Sequence, residues 1–252
     1  MPDAVEPLDW DAATYTRIGA PQFRWAGAIL DRLHLQGDET VLDAGCGSGR
    51  VTATLLDRLP RGRVVALDAS PSMLAAARKS LADYGDRVTI VEADLQQPLP
   101  VDSPVDAVFS GATFHWVPDH DSLFRHLFDV MRPGARIAAQ CGGAGNIASI
   151  VAVLAGVGDG WTGPWNFATP EDTETRLRAA GFVDVDAWLH PEPEHFDDRA
   201  SFATFLRTAA LGAHLERLPP GEHDGFVDAV VDRLPERTVD YVRLDFDARR
   251  PA

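Results

Sequence analysis

The chain reads as an α/β protein: a mostly parallel seven-stranded sheet with helices on both faces and a helical cap inserted between the last two strands. Three features predict this. Apolar runs alternate with helix-period segments from Val41 to Cys141, and such alternation builds parallel strands joined by crossover helices. The first apolar run, VLDAGCGSGR, breaks at Gly45, Gly47 and Gly49; without Cβ atoms these positions can take positive φ and let a ligand lie against backbone at the end of a strand. Finally, Asp198 to Leu234 holds two helical runs, separated by Leu218-Pro219-Pro220, where a hairpin between neighbouring strands needs only about 2–5 residues.

Taken in order, the elements follow from local pattern. The opening segment LDWDAATYTRIGA carries Trp10 and Tyr15 but is too short and mixed to hold itself together, whereas Pro21 to Leu35 places Phe23, Ile29, Leu30 and Leu33 at helical spacing. A helix from Val51 to Leu59 follows the glycine turn, then a second strand RVVALD ending in Asp68. Ser70 with Pro71 forms the N-cap of the next helix. That leaves Asp68 for another task, although Asp68 and Asp94 both also read as helix N-caps. A third strand, RVTIVEADL, ends in Asp94; a proline-broken loop spans Gln96 to Pro104; a fourth strand, PVDAVFSG, ends at Ser110-Gly111-Ala112, just before His115 and Trp116. An amphipathic helix, a Pro-Gly stop and a fifth strand close the regular part. Beyond it, Asn146 to Val157 suits a helix, Thr169 caps another with Glu171 and Asp172 in its first turn, and VDVDAWLHPEPEHF and VDYVRLDFDARR suit the last strands. Trp161, Trp165 and Phe167 form either a satellite core or an acceptor wall.

Composition narrows the function. With 252 residues and 45% hydrophobic content the chain fits one domain, divided into a leading segment and helix (1–36), a sheet core (37–197 and 235–252) and the inserted cap (198–234). Its 38 acidic against 23 basic residues give a net charge of −15, which disfavours a nucleic acid partner. No apolar run approaches the ~20 residues of a membrane span, and the polar, acidic start carries no signal peptide pattern. Cys46 and Cys141 have no companions at metal or disulfide spacing. A cytoplasmic protein, monomer or homodimer, is expected.

The glycine turn has the wrong spacing for a dinucleotide. It reads G-x-G-x-G rather than G-x-G-x-x-G, and Asp43 stands two positions before the first glycine. A carboxylate there repels a pyrophosphate and attracts a cation. Asp68 follows 25 residues beyond Asp43, at a strand end where a carboxylate can accept both ribose hydroxyls. Asp94 ends the next strand.

D-A-G-C-G-S-G after a strand, with these acids downstream, resembles motif I and its partners in the class I S-adenosylmethionine-dependent methyltransferases, whose sheet is Rossmann-like. The leading Trp10 and Tyr15, the HWV after the fourth strand and the late FLRT helix resemble the trans-aconitate methyltransferase group over nearly the whole chain. The resemblance implies S-adenosyl-L-methionine as cofactor, held by Tyr15, Asp43, Gly45, Cys46, Gly47, Asp68, Ala69, Met73, Asp94, Leu95, Ser110, Gly111, His115 and Trp116. Asp94 would meet the adenine amino group, Tyr15 the methionine end, and the small residues around Gly111 the sulfonium. It further implies in-line methyl transfer to a small, anionic acceptor, with a carboxylate needing no base. A cation would hold that acceptor, Arg207 first and Arg24 behind it, although both also read as surface ion pairs. His115 reads equally as a core residue or an acceptor-side contact, and as the base if the acceptor is a phenol or amine. A nicotinamide-dependent oxidoreductase and a non-catalytic S-adenosylmethionine-binding protein are the alternatives.

Overall fold

The computed structural model describes residues 20–252, with side chains from Trp25 onward. Seven strands form one sheet in the order β3-β2-β1-β4-β5-β9-β6: β1 (Thr40–Ala44), β2 (Arg63–Asp68), β3 (Val88–Glu92), β4 (Val105–Gly111), β5 (Met131–Gly142), β6 (Val183–Pro191) and β9 (Val242–Arg249). The first five pair in parallel, and β9 runs antiparallel between β5 and β6. β1 is flanked by β2 and β4, so the chain leaves it first to one side and later to the other. That reversal opens a crevice at the carboxyl ends of β1 and β4, where open α/β sheets place their ligands.

The strands form because their apolar runs are covered on both faces, as parallel sheets require. On one face lie α1 (Ala20–Arg32), α2 (Arg50–Arg58) and α3 (Pro71–Ser80), burying Ile29, Leu30, Leu55, Leu56 and Leu74 against Val41, Val64 and Phe109. The other carries α4 (His120–Val130) and α6 (Pro170–Ala179), with Phe124, Leu127 and Leu177 packed on Leu42, Val108 and Phe246. Ser70 caps α3 by accepting from the Met73 N–H at 3.2 Å, with Pro71 in the first turn; Thr169 caps α6 through the Asp172 N–H at 3.1 Å.

A third cluster joins α5 (Ala148–Leu154), α7 (Arg199–Ala209), α8 (Gly212–Leu215) and α9 (His223–Val231) to Trp25 and Tyr241. Two boundaries depart from the pattern. The first helical run of the insertion breaks at Ala210 and Leu211 rather than continuing to Leu218. The sixth and last strands are also shorter than their alternation implies, because Glu194–His195 (β7) and Thr238–Val239 (β8) leave the main sheet and pair as a separate ribbon. Among the described residues no helix is long and apolar enough to cross a membrane, and no cluster of His, Cys, Asp and Glu could hold a metal.

Candidate active site

Gly45, Gly47 and Gly49 take φ of +90°, +53° and +81°, which is why the run after β1 needs glycine there. Gly45 has a second reason: a Cβ would stand 2.1 Å from Thr113 Oγ1, in the loop after β4. Over Gly47 the space is open, with only Met73 Sδ at 4.0 Å.

The amides of this turn are committed inside the protein. Gly45 and Cys46 donate to the Leu67 carbonyl (2.8 and 2.9 Å), Gly47 to Asp68 Oδ2 (2.8 Å) and Gly49 to the Cys46 carbonyl (3.0 Å). A pyrophosphate site instead turns such N–H groups toward the ligand. The turn therefore offers a dense, small-residue platform rather than an anion nest, which suits a nucleoside carrying a positive sulfur.

The acids split into two kinds. Asp68 and Asp94 are half-buried at the ends of β2 and just past β3. Asp68 accepts the Gly47 and Ser70 amides, one on each oxygen, and Asp94 accepts the Gln96 amide at 2.9 Å. Each carboxylate oxygen has lone pairs for further acceptance. Asp43, in contrast, is 1% exposed and takes the Thr52 hydroxyl at 2.6 Å. Burial, opposed by the Thr52 bond and reinforced by the charge of Asp68, pushes its carboxyl up to about 7. Asp43 thus lies beneath the turn, shielded from solvent and held by Thr52. Cys46, Met73, Leu95 and Ser110 are buried too, the Ser110 hydroxyl being spent on the Ala44 carbonyl at 2.6 Å. Ala69, Gly111 and Trp116 are half-buried at the same edge. Tyr15 lies outside the described residues, as does the side chain of Arg24.

Past β4 the site becomes aromatic. His115 is buried, stacks on Phe167 with centroids 5.9 Å apart and accepts the Gly142 amide on Nδ1 at 3.3 Å. Burial, then the neighbouring charges of Arg243 and His120, hold its pKa well below the usual value. His115 is consequently a neutral imidazole with its proton on Nε2. Phe167 stacks on Trp165, and the column continues through His214 to Trp161 and Phe226. Backbone bonds pin the loop to the sheet, from Asn166 to the His115 carbonyl (2.8 Å) and from Ala144 to the Ala168 carbonyl (2.9 Å). The three loop aromatics hence join His115 to the inserted helices.

Arg207 is placed differently. Its guanidinium pairs with Asp224 across α7 and α9 at the surface. Sequence reasoning did not single out Arg243, a buried cation at the start of β9, or the Gln140 and Asp245 side chains beside it. The alternation in VRLDFDAR carried the signal, since its polar positions share one face, but acids and arginine in a strand read first as a solvated face.

Residues 41–134 match the model of a methyltransferase domain. The chain is 31% identical to a trans-aconitate 2-methyltransferase of Methylobacterium radiotolerans over 88% of this chain and 87% of that protein. A trans-aconitate 2-methyltransferase of Azoarcus sp. is 30% identical over 87% of both. Among solved structures, a phosphoethanolamine N-methyltransferase 2 of Haemonchus contortus, in complex with S-adenosyl-L-methionine, superposes with a TM-score of 0.63 at 20% identity, covering 96% of this chain and 57% of that one.

Proposed function

Because the chain belongs to the S-adenosylmethionine-dependent methyltransferases of the trans-aconitate 2-methyltransferase group, we propose that it methylates a carboxylate oxygen of a small anionic acceptor of the trans-aconitate class. The observation that carries this reading is the relationship itself, which runs over 88% of the chain and so extends past the cofactor half into the acceptor-side segments. Two features of the site support it. The glycine turn keeps its amides away from any phosphate, and the region past β4 is walled by aromatic rings, which supply contact area at low entropic cost.

In this reading Asp68 accepts the ribose hydroxyls and Asp94 the adenine amino group. Ala69, Met73 and Leu95 flank the base, and Asp43, Gly45, Cys46, Gly47 and Tyr15 attend the methionine end. Ser110, Gly111 and Trp116 border the sulfur. When bound, the cofactor supplies a methyl group on a positively charged sulfur that leaves as a neutral thioether. The protein's part is to align the acceptor oxygen and exclude water, effects that reach on the order of 7 to 11 kcal/mol in well-organised sites. A carboxylate is already ionised at neutral pH, so no base is required. Neutral His115 fits that chemistry as a hydrogen-bond donor through Nε2. The helices of residues 198–234 lie over the acceptor, and the cytoplasm, where the two buried free cysteines stay reduced, is the compartment.

The test is to incubate the protein with methyl-labelled cofactor and trans-aconitate and to look for an alkali-labile methyl ester. Labelled ester is expected. Cofactor binding without ester formation from trans-aconitate or other small di- and tricarboxylates would instead support a sensor.

A further inference from the structure

Arg243 lies at the carboxyl end of β5. By register it pairs with Gly142, the last residue of β5, and with His190 of β6, so it lies at the same sheet edge as the glycine turn. Its side chain is 2% exposed; the guanidinium lies 4.4 Å over Trp25 of α1, and Nε donates to Gln140 Oε1 at 3.4 Å. Gln140 is in turn oriented, because its Nε2 donates to both oxygens of Asp245 at 3.2 and 3.1 Å. Asp245 is 1% exposed and is also bound by Arg32 and by His190 Nδ1 at 3.1 Å. A buried network of this kind fixes a planar fork in one direction.

The surroundings face the acceptor side. The charge of Arg243 reaches His115, whose Nδ1 accepts the Gly142 amide. Gly142 itself is closely packed, since an added Cβ would stand 2.8 Å from both Phe167 and Asn146. Across the sheet, β4 and β9 are two strand spacings apart, roughly 10 Å, with β5 between. A short carbon chain and the arginine's own reach cover that gap. In a chain of net charge −15, an anionic acceptor is repelled at long range, and Arg243 adds a fixed positive charge beside an Asp245 that is already paired with Arg32.

We propose that Arg243, oriented by Gln140 and Asp245, grips a second carboxylate of the acceptor, so that the enzyme takes di- and tricarboxylates, holding one carboxylate while another is methylated. This rests on the carboxylate-acceptor reading given above. It puts the specificity-determining cation on β9 and leaves Arg207 in its surface pair with Asp224.

The experiment measures, by calorimetry on the S-adenosylhomocysteine-loaded protein, the affinity for trans-aconitate and for crotonate, a monoacid of similar shape. Wild type is expected to prefer trans-aconitate by roughly 10- to 150-fold, the range of charge-assisted hydrogen bonding. In Arg243→Met the preference falls to about threefold or less, while S-adenosylhomocysteine affinity stays within about twofold. Should Arg243→Met not fold, Arg243→Lys, which keeps the charge but loses the fork, is expected to lose about tenfold of the preference. An unchanged preference in a folded variant that still binds S-adenosylhomocysteine overturns the role of Arg243 alone. Wild-type protein that binds S-adenosylhomocysteine but neither acid overturns the carboxylate reading, and the proposal with it.

Discussion

Replacing Asp68 with alanine is the most informative change to the cofactor half of the site. Its two oxygens each hold one backbone amide, Gly47 at 2.8 Å and Ser70 at 2.9 Å, and the ribose hydroxyls would add to the same carboxylate. A hydrogen bond to a charged group is worth about 1.5–3 kcal/mol, so losing the ribose contact corresponds to about 10- to 150-fold weaker binding. Of the two amides released, that of half-buried Gly47 can rehydrate while that of Ser70, 2% exposed, is left poorly solvated, so the accompanying loss of fold stability is about 1–3 kcal/mol, or about 2–12 °C in Tm for a domain of this size. Calorimetric titration with S-adenosylhomocysteine reads the first effect and thermal unfolding the second. Affinity within threefold of wild type, with Tm unchanged, would remove Asp68 from the cofactor site and refute the geometry assigned to the end of β2.

Three further changes probe the glycine turn, the buried acid beneath it and the inserted helices. Gly45→Ala combines a positive φ with a Cβ placed 2.1–2.6 Å from three atoms of Thr113; strain and overpacking together should cost about 2–5 kcal/mol, and Thr113→Gly in the same chain should restore the steric part but not the strain, as read by denaturant titration. Asp43, with its carboxyl raised to about 7, gives stability that is complete below its unfolded value near pH 4 and is lost as pH rises through about 7. Wild type should thus lose about 4 kcal/mol relative to Asp43→Asn between pH 4 and pH 8, and parallel pH profiles of unfolding for the two proteins would show the reasoning wrong. Arg207→Ala removes one half of an exposed ion pair; stability should change by no more than about 1 kcal/mol and methyl transfer by less than about twofold, so a large loss of rate would return Arg207 to the acceptor site.

The glycine turn and the strand ends around it were readable from sequence because local rules fix them. Glycines at 45, 47 and 49 adopt the positive φ their spacing demands, Ser70 and Pro71 cap their helix, and Asp68 and Asp94 fall at neighbouring strand ends because alternating strands and helices leave them no other place. The surroundings of Arg243 and His115 depend on contacts between residues far apart in the chain. Gln140 and Asp245 meet across an antiparallel pair separated by 105 positions, and the strand β9 that brings them together begins only at Val242, the preceding Thr238–Val239 pairing instead with Glu194–His195. Arg207 looked like an anchor because an arginine on a helix of the insertion could reach a ligand. Only the packing of α7 on α9 shows that Asp224 stands opposite it. His115 was ambiguous for a related reason: its neutrality comes from burial and from the charge of Arg243, 128 positions away in the sequence. The three loop aromatics were recognisable as a group, whereas their stacking into a column from His115 to His214 required the fold.

The decisive measurement is a crystal structure of the protein with S-adenosylhomocysteine and trans-aconitate. The ribose is expected on Asp68, the adenine beside Asp94, the sulfur over the Gly111 end of β4, one acceptor carboxylate facing that sulfur and another on Arg243. Cofactor bound away from the crevice between β1 and β4, or an acceptor whose carboxylates both turn from the sulfur, would contradict this placement.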